Sequence, residues 1–250
     1  DFCFEEFADR VAELVEKHVN INRLLELTKP VATAVVPISA GRHIYKREPS
    51  FPIAVACDPA FNFVYEANIR YLHHLGEVTY FSPLADTSLP DAGFVYLPGG
   101  YPELYLAALS ANRQMLQSIR RYVESGGKLL AECGGMMYLC DEIRDKNGDV
   151  YPMAGVLHQS ATMENMKLRL GYRTLLYNET RLKGHEFHYS RLVEQQNPLP
   201  SCAVAYTAKG VETDTPLYHY KNVWAGYTHL YWADPVGNEW FTKFVIDGNT

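Results

Sequence analysis

One cysteine of the chain stands in a setting that suits nucleophilic chemistry. Cys133 lies in "KLLAECGGMMYLC", residues 128–140, between an apolar run and the glycines Gly134 and Gly135. At a strand-to-helix turn, small neighbours permit a strained backbone that exposes the nucleophile above the sheet. The start of the following helix lowers the pKa of a thiol, and its free N–H groups can bind an oxyanion. The pattern favours a catalytic thiol over the alternative of a buried structural cysteine.

A nucleophilic cysteine needs a base, and the chain has nine histidines. His229, in "WAGYTHLYW", lies in an apolar, β-prone run from which a loop could face the turn at Cys133. His185 and His188, in "KGHEFHYSR", form a second candidate pair. Because they are three residues apart in a strand-like stretch, they would point to opposite faces and would not bind one metal together. A hydrogen-bonded structural histidine is the alternative for each.

The remaining cysteines have no comparable setting. Five cysteines is an odd number, and they are spread without a CxxC pair or a Cys/His metal spacing. This distribution argues against both a disulfide framework and a zinc site. We therefore expect no metal in this fragment, and we expect small, mostly buried and reduced structural side chains at Cys3, Cys57, Cys140 and Cys202.

The elements that must position these residues alternate between strand and helix from residue 51 onward. The segments "PIAVAC", "EVTYFSP", "AGFVYLPGG" and "KLLAE" predict buried strands, while "YEANIRYLHHLG" and "ANRQMLQSIRRYVESGG" predict helices that end at glycine. "GGMMYLCDEI" predicts the start of a further helix. The order predicts an α/β fold with a mainly parallel sheet flanked by helices. Ligands bind at the carboxyl ends of such strands, where both "LPGG" and "AECGG" fall.

The region before residue 51 has a different composition. Residues 1–29 space their apolar side chains as an amphipathic helix followed by a short second helix. Residues 30–50 contain three prolines and a basic patch without a sustained period, which is typical of a linker. We therefore predict three parts: a helical segment at 1–29, a linker at 30–50 and the α/β domain at 51–250.

Composition excludes several classes of partner. The 250 residues are 47% hydrophobic and 21% charged, with a net charge of −6 and no basic run. Nucleic acid and membrane surfaces are therefore not expected partners. No apolar run approaches the roughly 20 residues that span a bilayer, and the first residues do not resemble a secretory signal. We expect a cytoplasmic protein.

Six separated segments carry a family resemblance. "LPGGYPELY", "AECGGMMYL", "MAGVL", "LGYR", "GHEFHYSR" and "HLYW" occur in the order found in the glutamine amidotransferase domain of the cobyrinate a,c-diamide synthase family. The resemblance covers about residues 51–235 and implies a flavodoxin-like class I glutamine amidotransferase fold. Residues 1–29 resemble the end of that family's upstream ATP-binding synthetase domain. Since no GxxxxGK[ST] loop occurs here, ATP and Mg²⁺ would bind upstream, with no cofactor in this fragment.

The resemblance implies roles for individual residues. Cys133 would attack the side-chain amide of glutamine, and His229 would take its proton and deliver one to the departing ammonia. Gly100 and Gly134 would offer backbone N–H groups to the oxyanion, next to Gly99. The ammonia would pass to the synthetase domain, where ATP activates a carboxylate of a cobyrinate-like tetrapyrrole and two amides form, at the a and c side chains.

Other parts of the resemblance leave alternatives open. "GHEFHYSR", with His185, Glu186 and His188 as accessory residues, would lie near the glutamine pocket or the domain interface. A homodimer is compatible with the family. The acceptor could instead be nickel-sirohydrochlorin or a cobyric acid precursor, although "GHEFHYSR" favours the diamide branch. From a different class, the chain could be a catalytically silent docking domain of the same fold.

The chain departs from the usual class I pattern at one position. Typical members carry a glutamate two residues after the histidine, where this sequence has Tyr231. The cobalamin branch is similar in working with a cysteine and a histidine alone, so the interpretation as a dyad stands. A partner that orients His229 is not visible in the sequence, and Glu186 and Asp234 are the carboxylates suggested for it.

Overall fold

The structure is a computed structural model that describes residues 4–28 and 51–247. The chain divides into two compact units, residues 1–46 and 47–250. The first unit contains helices α1 (Phe4–His18) and α2 (Ile21–Leu27), and the side chain of Asn20 caps the second by accepting the Arg23 amide. The predicted linker at 30–50 lies outside the described residues.

The described part of the second unit contains fifteen strands and five α-helices. The strands are β1 (Phe51–Ala56), β2 (Gly76–Phe81), β3 (Phe94–Leu97), β4 (Lys128–Glu132), β5 (Glu142–Arg144), β6 (Val150–Pro152), β7 (Ser160–Thr162), β8 (Arg169–Tyr177), β9 (Thr180–His188), β10 (Arg191–Leu192), β11 (Val204–Thr207), β12 (Glu212–Thr213), β13 (Leu217–Tyr220), β14 (Val223–Gly226) and β15 (His229–Leu230). The helices are α3 (Glu66–Leu75), α4 (Leu106–Ala111), α5 (Arg113–Glu124), α6 (Gly134–Leu139) and α7 (Pro235–Thr242). A 3₁₀ turn covers Pro102–Leu104, and a π-helical turn covers Lys243–Asp247.

A six-stranded sheet in the order β13-β14-β4-β3-β1-β2 forms the centre of this unit. All its neighbouring pairs are parallel except β13–β14, which closes one edge. Successive residues of β3 enter opposite cores: Val95 and Leu97 pack in a cluster with α5, whereas Phe94 and Tyr96 pack with residues of α3 and α7. The predicted mainly parallel sheet with helices on both faces is confirmed.

Helix α5 shows how the sequence specifies this packing. Its buried residues are spaced as one helical face, and the Asn112 side chain caps the helix by accepting the Met115 amide. The buried residues of α5 are Met115, Leu116, Ile119 and Val123. This face covers one side of the sheet and so fixes the position of β4, at whose carboxyl end Cys133 stands.

Two smaller sheets, which the sequence analysis did not predict, lie beside the main one. They have the strand orders β10-β7-β5-β6 and β12-β11-β8-β9-β15. The helix expected over "GGMMYLCDEI" ends at Leu139, and Glu142–Arg144 forms strand β5 of the first of these sheets. The second contains the long β8–β9 hairpin, whose turn residues Asn178 and Glu179 both have positive φ. Pairing of β15 with β9 sets His229 opposite His185.

No helix in the described ranges is long and apolar enough to cross a membrane.

Candidate active site

Cys133 occupies a strained turn between β4 and α6. Its φ of 47° and ψ of −106° lie outside the ordinary regions for a residue with a side chain, which costs about 1–3 kcal/mol. Its amide donates to the carbonyl of Gly226 at 2.7 Å, so the adjacent strand β14 holds the turn in place. This is the geometry of the nucleophile elbow that the sequence pattern predicts.

Glycines allow the neighbouring loops to approach this turn closely. A Cβ built on Gly99 would lie 2.1 Å from Cε1 of His229, and one built on Gly134 would lie 2.7 Å from Cδ of Pro102. The same Cβ on Gly134 would lie 3.2 Å from the amide nitrogen of Gly100. The glycines of "LPGG" and "ECGG" therefore bring two backbone segments and an imidazole ring together where larger residues would collide.

A cavity of about 290 Å³ opens at this point. It is lined by Phe63, Gly100, Tyr101, Cys133, His185, Phe187 and His229. Its volume is near the lower end of the ~300–1,000 Å³ typical of ligand pockets, which indicates a small ligand. Cys133 and His229, predicted as nucleophile and base, thus share one cavity. The aromatic lining residues were missed because nothing in their local sequence distinguishes them from core residues.

His229 is a buried, neutral imidazole. Its ring stacks on that of His185, with centroids 5.0 Å apart, and the ring of Phe63 meets it edge-on at 4.5 Å. The pKa of His229 is lowered to about 3, mainly by burial and to a smaller extent by the neighbouring rings of His185 and His188. At neutral pH the ring is therefore an uncharged base, which is the form that can accept a proton.

The thiol of Cys133 is also neutral in the resting site. The pKa of Cys133 is raised to about 12, mainly by burial and also by the carboxylate of Glu103, while a hydrogen bond from the Gly134 amide opposes the rise. The sulfur lies 3.9 Å from the carbonyl oxygen of Phe187. Because a thiol with so high a pKa is not a thiolate at neutral pH, the sulfur would need a base to take its proton before it could act as a nucleophile.

Glu132, the residue before Cys133, is a buried carboxylate near His229. The hydroxyl of Tyr96 donates to its Oε2 at 2.7 Å, and the amide of Leu230 donates to its Oε1 at 3.0 Å. Its Oε2 lies 3.9 Å from Nδ1 of His229, a nitrogen that has no hydrogen-bond partner within residues 4–28 and 51–247. Burial raises the pKa of Glu132 to about 8. The sequence analysis missed this residue; its signal was an acidic residue at the end of the apolar strand "KLLAE".

The predicted accessory residues fall on the two faces of β9. His185 lines the cavity with Cys133, and its Nδ1 is hydrogen-bonded to the hydroxyl of Tyr65. Glu186 and His188 face a second cavity of about 360 Å³ instead. The predicted separation of His185 and His188 onto opposite faces is confirmed.

The two carboxylates suggested to orient His229 are engaged elsewhere, which corrects that suggestion. Glu186 pairs with Arg173 at 2.8 Å on the far face of β9. Asp234 caps α7 by accepting the Gly237 amide at 2.7 Å. The buried carboxylate nearest the ring comes from β4, on the other sheet, and not from the segments around the histidines.

The chain is similar to known proteins both in sequence and in fold. The model of the CobB/CobQ-like glutamine amidotransferase domain matches residues 52–236. A cobyrinate a,c-diamide synthase of Picrophilus torridus is 37% identical over 89% of this chain and 49% of its own length. A hydrogenobyrinate a,c-diamide synthase of Pseudomonas aeruginosa is 40% identical over 72% of this chain and 41% of its own length. The chain thus spans about half the length of the curated relatives it matches.

Solved structures with a similar fold include a glutamine amidotransferase, with a TM-score of 0.51 and 16% identity over 77% of this chain and 98% of that one. PurLQS from Thermotoga maritima has the same TM-score and identity over 79% of this chain and 96% of that one. At this identity the similarity establishes the fold alone, which is that of class I glutamine amidotransferases.

Proposed function

Because the chain belongs to the family of CobB/CobQ-like glutamine amidotransferase domains, we propose that it hydrolyses glutamine and supplies the ammonia to an ATP-dependent ligase. The observation that carries the proposal is Cys133, held at φ 47° on a strand-to-helix turn that opens into a cavity shared with His229. A strained, buried thiol beside a neutral imidazole suits acyl transfer from a small amide.

The chemistry follows from the protonation states. As the sulfur of Cys133 attacks the side-chain amide carbon of glutamine, its proton passes to the ring of His229. The amides of Gly100 and Gly134 face the oxygen that gains negative charge. His229 then gives the proton to the leaving nitrogen, ammonia departs, and a thioester remains. Water, deprotonated by the same ring, cleaves the thioester to glutamate and restores the thiol.

The acceptor of the ammonia is proposed from the relatives. Those described above are named as synthases of cobyrinate or hydrogenobyrinate a,c-diamide. We place the activation of a tetrapyrrole carboxylate by ATP and Mg²⁺ in a synthetase domain upstream of residue 51, to which residues 1–29 would belong. A cytoplasmic location and a homodimer stay predictions.

The test combines an assay with a covalent label. Glutamate released from glutamine is measured for the chain, and a glutamine-derived chloroketone is used to alkylate the nucleophile, with the modified peptide identified by mass spectrometry. We expect label on the peptide that contains Cys133, and glutamine should protect against it. Labelling of another residue, or none, together with no release of glutamate in the complete protein, would favour the silent docking domain.

A further inference from the structure

We propose that Glu132 is the positioning residue of His229, holding its ring in the tautomer that presents a free Nε2 to Cys133. The inference rests on the proposed glutamine hydrolysis, because it assigns a partner to the base of that reaction. In typical class I glutamine amidotransferases a glutamate stands two residues after the histidine, where this chain has Tyr231. Glu132, next to Cys133 on β4, would take over the role of that glutamate and orient His229.

The first support is how firmly Glu132 is held. Its carboxylate is 2% exposed, and each of its two oxygens accepts a hydrogen bond from a buried donor. One donor is the hydroxyl of Tyr96 on β3, and the other is the amide of Leu230, the residue after His229. The carboxylate therefore bridges the main sheet and the backbone of the strand that carries the base, which fixes its distance from the imidazole.

The second support is the environment of Nδ1 in the His229 ring. Nδ1 of His229 is buried without a hydrogen-bond partner among the described residues, and an unpartnered buried nitrogen is costly. Oε2 of Glu132 lies 3.9 Å from it, beyond hydrogen-bond range but within reach of a charge interaction. Catalytic hydrogen bonds are often long in an empty site and shorten when substrate binds. With its Nδ1 proton directed at Glu132, the ring keeps Nε2 free as the base.

The third support is the charge that the reaction creates. When the ring takes the thiol proton it becomes a cation in a cavity lined by aromatic side chains, which disfavours it. The other titratable groups that line the cavity are Tyr101, Cys133 and His185; His185 and, across β9, His188 lower the pKa of the ring and so disfavour its charged form further. Glu132 is the one carboxylate within 4 Å of that ring among the described residues. Opposite charges about 4–6 Å apart favour the charged form of both groups, so Oε2 of Glu132, 3.9 Å from Nδ1, would stabilise the positive charge that the ring gains with the thiol proton.

Two measurements test the inference in the complete protein, and the first of them does not depend on enzymatic activity. The first is the nitrogen-15 spectrum of the histidine rings, in which the His229 signals are identified by their absence from a His229→Gln variant. We expect the Nδ1–H tautomer in the wild type and a mixture of both tautomers in Glu132→Gln. A wild-type ring protonated on Nε2 would overturn the inference even if the variant failed to fold.

The second readout is steady-state kinetics of glutamate release. Glu132→Gln should lower kcat by at least about tenfold, with the ~10⁴ of a mis-oriented triad as the upper limit, while KM for glutamine changes little. Glu132→Asp, which keeps the charge, should recover part of the loss. The matched control is Glu186→Gln, an equally buried carboxylate on the far face of β9, which should leave kcat near the wild-type value.

The outcomes separate the two proposals. Wild-type hydrolysis of glutamine with an unchanged kcat in Glu132→Gln would overturn the role of Glu132 alone. An equal fall of kcat in Glu132→Gln and Glu186→Gln would also overturn it, since a general loss of packing would then explain both variants. No hydrolysis by the wild-type complete protein, and no labelling of Cys133, would overturn the proposed function itself.

Discussion

Strand β9 separates two cavities of similar size and opposite character. On one side, about 290 Å³ is lined by glycine, aromatic rings, His185, Cys133 and His229. On the other, about 360 Å³ is lined by charged residues that include Arg169, Glu186 and Asp214. The alternation of side chains along a strand divides its residues between the two.

The difference shows that the side chains on one face of β9 line a cavity suited to catalysis, whereas the other face carries a buried ion pair that stabilises the fold. Among the described residues that line the apolar cavity there is no Lys or Arg, and burial is the main influence on the pKa of both Cys133 and His229, so both side chains are neutral at pH 7. In the charged cavity the buried carboxylate of Glu186 is matched by Arg173. We therefore expect substitutions on the first side to reduce activity with little effect on stability, and substitutions on the second side to do the reverse.

The largest effect should come from Cys133→Ala. Loss of the sulfur removes the group that forms the thioester, so glutamine-dependent amidation should be abolished in the complete protein while free ammonia still supports it. Amide formation is measured with each nitrogen source. Cys140→Ala, a change at a buried cysteine of the core, serves as the control. Retained use of glutamine would refute the assignment of the nucleophile.

Next in size is the loss of the base. His229→Asn should reduce glutamine hydrolysis by ~10²–10⁴, the usual contribution of a positioned general base, with little change in the unfolding temperature. His188→Asn tests the other face of β9, where the ring stacks on Tyr227 with centroids 3.8 Å apart. A larger loss of rate in His188→Asn than in His229→Asn would identify His188 as the base. It would refute the assignment of reactivity to the His229 side of β9.

The third prediction concerns the pH dependence of alkylation at Cys133. Because burial raises the pKa of this thiol to about 12, the thiolate fraction should still be increasing at pH 9. Its reaction with iodoacetamide, followed by mass spectrometry, should therefore accelerate about hundredfold from pH 7 to pH 9, since the thiolate is the nucleophile. A rate that levels off near pH 7 would instead indicate a resting thiolate–imidazolium pair.

The fourth prediction addresses the charged side. Arg173→Ala leaves the carboxylate of Glu186 buried and unmatched, which should reduce the free energy of unfolding by about 3–5 kcal/mol. The exposed pair of Arg169 and Asp214 gives the control, because Arg169→Ala should cost about 1 kcal/mol or less. Urea unfolding measures both. Equal effects would mean that the Arg173–Glu186 pair contributes no more than a surface pair.

The sequence predicted the parallel sheet and the sharp turn at Cys133 because their signals are local. Strands whose residues are almost all buried, such as β3 and β4, appear as apolar runs, and the glycines after Cys133 mark its turn. The β8–β9 hairpin mixes polar and apolar residues, and its pairing with β15 depends on distant segments. Glu132 was missed for the same reason: its partners, Tyr96 and Leu230, come from other parts of the chain.

The smallest predicted effect asks whether the apolar cavity is complete in this chain alone. Tyr101 and Phe187 line it yet are 44% and 42% exposed, so the cavity is open on their side. The 3.9 Å between Glu132 and His229 is also longer than a hydrogen bond. Enzymes that pass ammonia between sites avoid wasting glutamine if the hydrolytic site closes only when the synthetase is loaded.

We therefore expect slow release of glutamate from this chain. The rate should rise at least about tenfold, or about 1.4 kcal/mol of barrier, in the complete protein supplied with ATP and tetrapyrrole. Steady-state glutaminase assays on both forms measure the difference, and the Cys133→Ala variant of each gives the background. Omitting the tetrapyrrole from the complete protein separates the effect of docking from that of loading. Equal rates in all forms would mean that the open side of the cavity needs no synthetase domain to complete it. The residues on the Cys133 side of β9 would then suffice for the hydrolysis of glutamine.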